Sequence, residues 1–226
     1  MSKGIFITGT GTDIGKTYVT GLLLKKLIDA GLNATYFKAA VSGNVMGESG
    51  LIPGDAAYVN KIANIQGDLK EMVPYVYKNA VSPHLASRIE GNPVDMNVVN
   101  AYYDHMRQKY DYVVVEGSGG ILCPICFDER KIWLEDVIKD LNLDCILIAN
   151  AGLGTINDVG LTVSYMKYKG IALKGIILNR FHPGDLMEED NRDMITYMTK
   201  IPVLATVKDG DMELEIDVDK LIELFR

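Results

Sequence analysis

The stretch Gly9-Thr10-Gly11-Thr12-Asp13-Ile14-Gly15-Lys16-Thr17 constrains this chain more than any other. It follows the apolar run Ile5-Phe6-Ile7 and leads into a segment of helical period. Glycines let the backbone turn tightly and bring its N–H groups up to an anion, Lys16 adds a point charge, and the Thr17 hydroxyl can reach a magnesium ion. Those are the needs of a bound nucleoside triphosphate. Counting back from Gly15, the strict phosphate-loop spacing would place its first glycine at Thr10, so the loop is one residue longer than that pattern. A glycine-rich turn with a solvated lysine is the plain alternative; strand, turn, Gly-Lys-Thr and helix in that order favour phosphate.

A loop of this kind sits at the end of a parallel strand, and the rest of the chain supplies the sheet. Short runs rich in Ile, Val and Leu alternate with longer segments of helical period, the pattern of strands covered on both faces. The reading is an α/β fold: a doubly wound, largely parallel sheet flanked by helices. Strands are expected at 4–8, 34–38, 111–115, 144–149, 174–178 and 202–206, and helices near 15–30, 95–109, 155–169 and 217–225. In the first helix Val19, Leu22, Leu23 and Leu27 form an apolar face, and Ala30-Gly31 supplies the stop. Tyr102, Tyr103 and Met106 follow helical spacing and read as core. The segment 40–95 is the least regular part, interrupted by Pro53, Pro74, Pro83 and Pro93. With 226 residues, 48% of them hydrophobic, the chain can build one substantial core, and a single domain over 1–226 is expected.

Charge narrows the partners. A net charge of -7 and a pI near 5.0 argue against a surface for nucleic acid or anionic lipid, which needs clustered positive charge. No apolar run reaches the length of a membrane span, the start carries no secretory pattern, and the odd number of cysteines, 3, does not make a disulfide framework. The expected location is the cytoplasm, with a small molecule as substrate.

In open parallel sheets ligands sit beyond the carboxyl ends of the strands. After the second strand comes Phe37-Lys38-Ala39-Ala40-Val41-Ser42-Gly43, which directs Lys38 toward the crevice that holds Lys16. The third strand, Val113-Val114-Val115-Glu116, resembles a Walker B strand, whose terminal acid holds magnesium directly or through water, and makes Glu116 the leading metal-site acid. Asp55 is a weaker candidate acid, since Gly-Asp before a helix is also a routine N-cap. After the fourth strand, Gly152-Leu153-Gly154-Thr155-Ile156-Asn157 opens another helix; its amides could hold a second anion, or Thr155 is simply a cap. Asn179 ends the fifth strand, where an amide could read a base. Cys123-Pro124-Ile125-Cys126 has no second cysteine pair beside it, and the 3 histidines are scattered, so zinc would need distant ligands; packed or solvent-facing thiols near the site mouth are the plainer reading.

These motifs, taken in order, resemble the dethiobiotin synthetases, ATP-dependent cyclo-ligases of biotin synthesis, over essentially the whole chain. The resemblance rests on Thr8 to Thr17, Phe37-Lys38, Ser42-Gly43, Gly54-Asp55-Ala56, Ser82-Pro83-His84, Val115-Glu116-Gly117-Ser118-Gly119-Gly120, Leu153-Gly154-Thr155-Ile156-Asn157 and Asn179. The longer phosphate loop is that family's form. The resemblance implies a seven-stranded, largely parallel sheet and a homodimer with the substrate near the interface. It implies that 7,8-diaminopelargonate and CO2 form a carbamate, that ATP phosphorylates it, and that the second amine closes the ring. By the same resemblance Lys38 and Lys16 are catalytic, and Thr12, Asp13, Ile14, Gly15, Lys16, Thr17 and Asn179 bind ATP. Thr17, Asp55 and Glu116 would hold Mg2+. Thr12, Lys38 and Ser42, with Gly152, Leu153, Gly154 and Asn157 of the partner subunit, would bind the substrate. The chain departs from the family pattern in having Asp13 where Glu is familiar, in lacking a proline within 206–210, and in its Cys123 to Cys126 loop. A partition-type ATPase would carry a lysine at the position of Gly11, and a metabolite kinase would share the phosphate machinery but release a phosphorylated product.

Overall fold

The computed structural model describes residues 2–48 and 50–226. In chain order its elements are β1 (Lys3–Gly9), α1 (Lys16–Asp29), β2 (Ala34–Phe37), β3 (Ala40–Val41), β4 (Val45–Gly47), β5 (Gly50–Ile52) and α2 (Gly54–Ala63). There follow β6 (Tyr75–Val76), α3 (Pro83–Ile89), α4 (Met96–Lys109), β7 (Tyr112–Glu116), β8 (Pro124–Phe127), β9 (Lys131–Trp133) and α5 (Leu134–Asp140). The chain ends with β10 (Cys145–Asn150), α6 (Thr155–Tyr168), β11 (Leu173–Asn179), α7 (Leu186–Thr199), β12 (Val203–Val207) and α8 (Val218–Ile222).

Six strands form one parallel sheet in the order β12-β11-β10-β1-β7-β2. All six match the strands expected from the sequence; the inner ones are short apolar runs buried on both faces, while the edge strand β12 is only partly covered. In β1 the alternation is visible directly: Ile5 and Ile7 join the core under α1 and α2, while Phe6 points to the opposite core with Val113 and Val115. A third cluster, built on Leu147, Leu178 and Ile195, seats α6 and α7.

The sheet is one strand short of the seven that the family resemblance implied. After Phe37 the Lys38 amide donates to the Met72 carbonyl at 3.0 Å, outside the ladder, and the chain then forms a separate two-stranded parallel sheet, β3 with β6. The irregular segment 40–95 therefore contains its own small elements, including the antiparallel pair β4–β5 and helices α2 and α3. Tyr103 and Met106 are buried on α4, but Tyr102 is exposed, one step round the helix from that face.

The topology fixes where a ligand can lie. The connection after β1 runs toward β2, while that after β10 runs toward β11 on the other side, so the sheet reverses direction between β1 and β10. Two glycine-rich turns, 9–15 and 151–154, open at that reversal, where open α/β sheets form their crevice. No helix among the described residues is long and apolar enough to cross a membrane.

Candidate functional site

The loop between β1 and α1 turns through two left-handed residues, Asp13 (φ 57) and Gly15 (φ 89). Gly15 is required twice over, since a Cβ there would also lie 2.1 Å from the Asn179 amide nitrogen. That nitrogen donates to the Ile14 carbonyl at 2.9 Å, so Asn179 braces the loop from beneath while its own Oδ1 stays buried without a partner. Arg180 adds a second brace from the same strand end, donating from Nη2 to the Asp13 carbonyl at 3.0 Å.

Lys16 and Thr17 open α1 and face a cavity of about 830 Å³. Lys16 Nζ donates to the Gly11 carbonyl at 2.6 Å. Burial, reinforced by the charge of Lys38 and only partly opposed by Glu116, pulls its pKa down to about 8. Lys38, one residue past β2, lines the same cavity and donates to Asp55 Oδ2 at 2.6 Å and to Glu116 Oε1 at 2.8 Å. Burial would lower its pKa, but Glu116 and Asp55 outweigh that and hold it above the ordinary lysine value. The Thr17 hydroxyl donates to the same Glu116 oxygen at 2.9 Å.

Thr17 directly, and Asp55 through the Lys38 ammonium, are thus joined to the same Glu116 oxygen, although Thr17 and Glu116 are 99 residues apart in sequence. Their donors are all oxygen, as a hard divalent cation requires, and Glu116 Oε2 is buried with no partner of its own. This donor set fits Mg2+. Thr12, Asp13 and Ser42 line the same cavity, and Ser42 donates from Oγ to the Val81 carbonyl at 2.6 Å. Tyr18, Tyr58 and Val81 line it as well and carry no motif that marks them in sequence. Cys123 is at its wall and Cys126 is buried; both are free thiols, with burial raising the pKa of each.

Gly152, Leu153, Gly154 and Asn157 do not meet these groups within the chain. Gly152 and Leu153 line a second cavity of about 500 Å³, bounded also by Thr10, Gly11 and Thr12. Leu153 is 90% exposed, Asn157 is exposed and bonds only to Asp158, and Gly154 (φ 95) starts α6. Thr155 does not cap that helix, its Oγ1 being buried without a partner. Asn179 lines neither cavity wall.

A family model described as an AAA domain matches residues 3–211. Solved structures of the ParA family ATPase from Chlorobium tepidum (TM-score 0.57, 13% identity, 99% of this chain and 89% of that one) and of the MinD cell division protein from Aquifex aeolicus (TM-score 0.54, 12% identity, 99% and 85%) share the fold. At such identities they speak to architecture alone. Sequence relatives are much nearer. The ATP-dependent dethiobiotin synthetase BioD of Brachyspira hyodysenteriae is 49% identical over 225 residues, covering 99% of this chain and 100% of that protein. Its namesake from Clostridium botulinum strain Loch Maree is 47% identical over 225 residues, covering 100% and 99%. End-to-end identity of this order, on a fold that gathers Lys16, Lys38, Thr17, Asp55 and Glu116 at one crevice, places the chain in the dethiobiotin synthetase family.

Proposed function

We propose that this chain closes the ureido ring of dethiobiotin from 7,8-diaminopelargonate, CO2 and ATP. The observation that carries the reading is the pair of buried ammonium groups, Lys16 and Lys38, facing one cavity beside three oxygen ligands. A simple phosphate site needs one such cation. Two are called for when a carbamate and a γ-phosphoryl group must be brought together against their mutual repulsion.

In the proposed sequence one substrate amine adds to CO2 and loses a proton, giving a carbamate. A carbamate oxygen attacks the γ-phosphorus, and the bond to ADP breaks. The second amine then attacks the carbonyl carbon of the mixed anhydride, loses a proton, and expels phosphate as the ring closes. Lys38 holds the carbamate, and Lys16 follows the transferring phosphoryl group. The amides of Thr12, Asp13, Ile14, Gly15, Lys16 and Thr17 cradle the triphosphate. Thr17, Asp55 and Glu116 would hold Mg2+, which would supply positive charge to screen the triphosphate. Thr12 and Ser42 contact the carbamate and amine end. Asn179 is the residue proposed to read adenine; its nitrogen is committed to Ile14 and its Oδ1 is without a partner, and that oxygen must be uncovered by the loop above it before a base can reach it.

Gly152, Leu153, Gly154 and Asn157 of the partner subunit take the substrate carboxylate in a homodimer. What supports a dimer is the apolar side chain that α6 and α7 leave exposed, with Leu161 65%, Tyr197 71% and Met198 52% accessible. The chain acts as one domain in the cytoplasm. Incubating it with diaminopelargonate, bicarbonate and MgATP should yield dethiobiotin by mass detection, with ADP and phosphate formed in step. A linear phosphorylated product, or ATP hydrolysis alone, would overturn the reading.

A further inference from the structure

Helix α2 carries Asp55 in its first turn but begins after Pro53, whose side chain cannot cap it. Its first amide is satisfied from elsewhere: Gly54 N–H donates to Asn44 Oδ1 at 2.8 Å. Asn44 is 5% exposed, and its Nδ2 donates to the carbonyls of Val41 at 3.0 Å and Tyr77 at 2.7 Å. Its backbone N–H also donates to Tyr77, at 3.1 Å. One side chain therefore ties the end of β3, the chain after β6 and the start of α2 into one unit. The intervening hairpin β4–β5 projects away, with Val45 and Met46 exposed.

We infer that Asn44 is a positioning residue: as a cap supplied from ten residues upstream, it sets where Asp55 stands relative to Glu116 and Thr17. This rests on the metal site proposed above. Its reach is short, since Gly54 immediately precedes Asp55, whose carboxylate lies in the same ion-pair cluster as Glu116. Residues that orient a metal ligand through hydrogen bonds commonly change metal affinity by about 10- to 100-fold when removed. Nothing in the 41–52 sequence forecasts this, because the partners of Asn44 lie on three separate segments.

The test is Mn2+ binding by electron paramagnetic resonance on the full chain with a non-hydrolysable ATP analogue present, beside nucleotide binding in EDTA. Asn44→Ala should weaken Mn2+ about 10-fold and leave metal-free nucleotide binding within about two-fold. Gly54→Pro removes the same hydrogen bond from the other side. Proline suits a first helical position, so α2 survives, and the same loss of Mn2+ affinity is expected. Asn191→Ala serves as the matched control. It too is a buried asparagine whose amide holds two carbonyls, those of Ala151 and Gly152, but it sits on α7 and bonds only the turn after β10, so its loss should lower the melting temperature without moving Mn2+ affinity. Wild-type Mn2+ affinity in folded Gly54→Pro, or equal Mn2+ loss in Asn191→Ala, would overturn the inference. Absence of Mn2+ binding in the unsubstituted chain would overturn the metal site and this inference together. A chain that binds Mn2+ but makes no dethiobiotin would sink the reaction while leaving Asn44 in its role.

Discussion

Lys16 and Lys38 are both buried at the same cavity, yet they are held in opposite ways. Lys16 has a neutral carbonyl as its hydrogen-bond partner and a depressed pKa, whereas Lys38 lies between two carboxylates that keep it charged. Lys16 is thus a cation whose charge is poorly compensated until an anion arrives. Lys38 is already neutralised, and in turn it neutralises Glu116, whose side chain is fully buried. The first lysine is costly to the fold, while the second also compensates a buried carboxylate.

The largest expected effect removes what the two share. Lys16→Ala and Lys38→Ala should each reduce turnover by about 10²- to 10³-fold or more, as loss of a preorganised electrostatic donor does. Normal ligase activity in either variant would remove that residue from the site.

Stability separates them next. Lys38→Met leaves the Glu116 carboxylate buried without its cation and should cost about 3–5 kcal/mol in chemical denaturation. Lys16→Met buries no new unpaired charge and should fall within about 1 kcal/mol of wild type, or gain. Equal losses in the two variants would erase the contrast.

A pH series sharpens it further. The folded pKa of Lys16, about 8, lies below the ordinary 10.5, so between those values the unfolded chain holds a proton that the folded chain has shed. The Lys16 contribution to stability therefore rises with pH across that window. Lys38 is shifted the other way: its contribution is fully present below 10.5 and is lost only as pH passes its still higher folded value. Between pH 7.5 and 9.5, wild type should gain stability relative to Lys16→Met, and by a smaller amount relative to Lys38→Met, which keeps Lys16 but loses one cause of its depressed pKa. A falling margin over Lys16→Met would reverse the assignment. The smallest effect is at the cavity wall, where Cys123→Ser should leave turnover within about two-fold, since burial disfavours the reactive thiolate; a large loss under reducing conditions would give the thiol a role.

The two halves of this site were not equally legible. The phosphate loop acts through contiguous backbone, so its order of strand, glycines, Lys16 and Thr17 is legible directly, as are the six apolar strands of the sheet. The Lys38 side depends on segments that meet only in space. Asp55 looked as much like a helix cap as a ligand until Lys38 was found bonded to it and to Glu116 together. The segment from 40 to 95 is held by side-chain-to-backbone bonds such as those of Asn44, which leave no periodic trace. Helix α7 escaped for a different reason. Of its buried residues, Glu188, Asn191 and Ile195, only one is apolar, although Asp185 followed by Glu188 was a readable start signal, and Asp185 does accept the amides of Met187 and Glu188. The hairpin β8–β9 and helix α5 are likewise illegible in the sequence after Glu116, because their elements of 4, 3 and 7 residues are too short to show a period.

In the proposed reaction Lys16 and Lys38 bring two anions together so that oxygen passes from carbamate to phosphate. A single turnover with C18O2 tests that transfer directly. If the carbamate is phosphorylated, one labelled oxygen remains in the ureido carbonyl and one leaves in inorganic phosphate, and Lys38→Ala slows the appearance of both by about 10²- to 10³-fold. Dethiobiotin formed alongside unlabelled phosphate would contradict it, because the γ-phosphoryl group would then have gone to another acceptor.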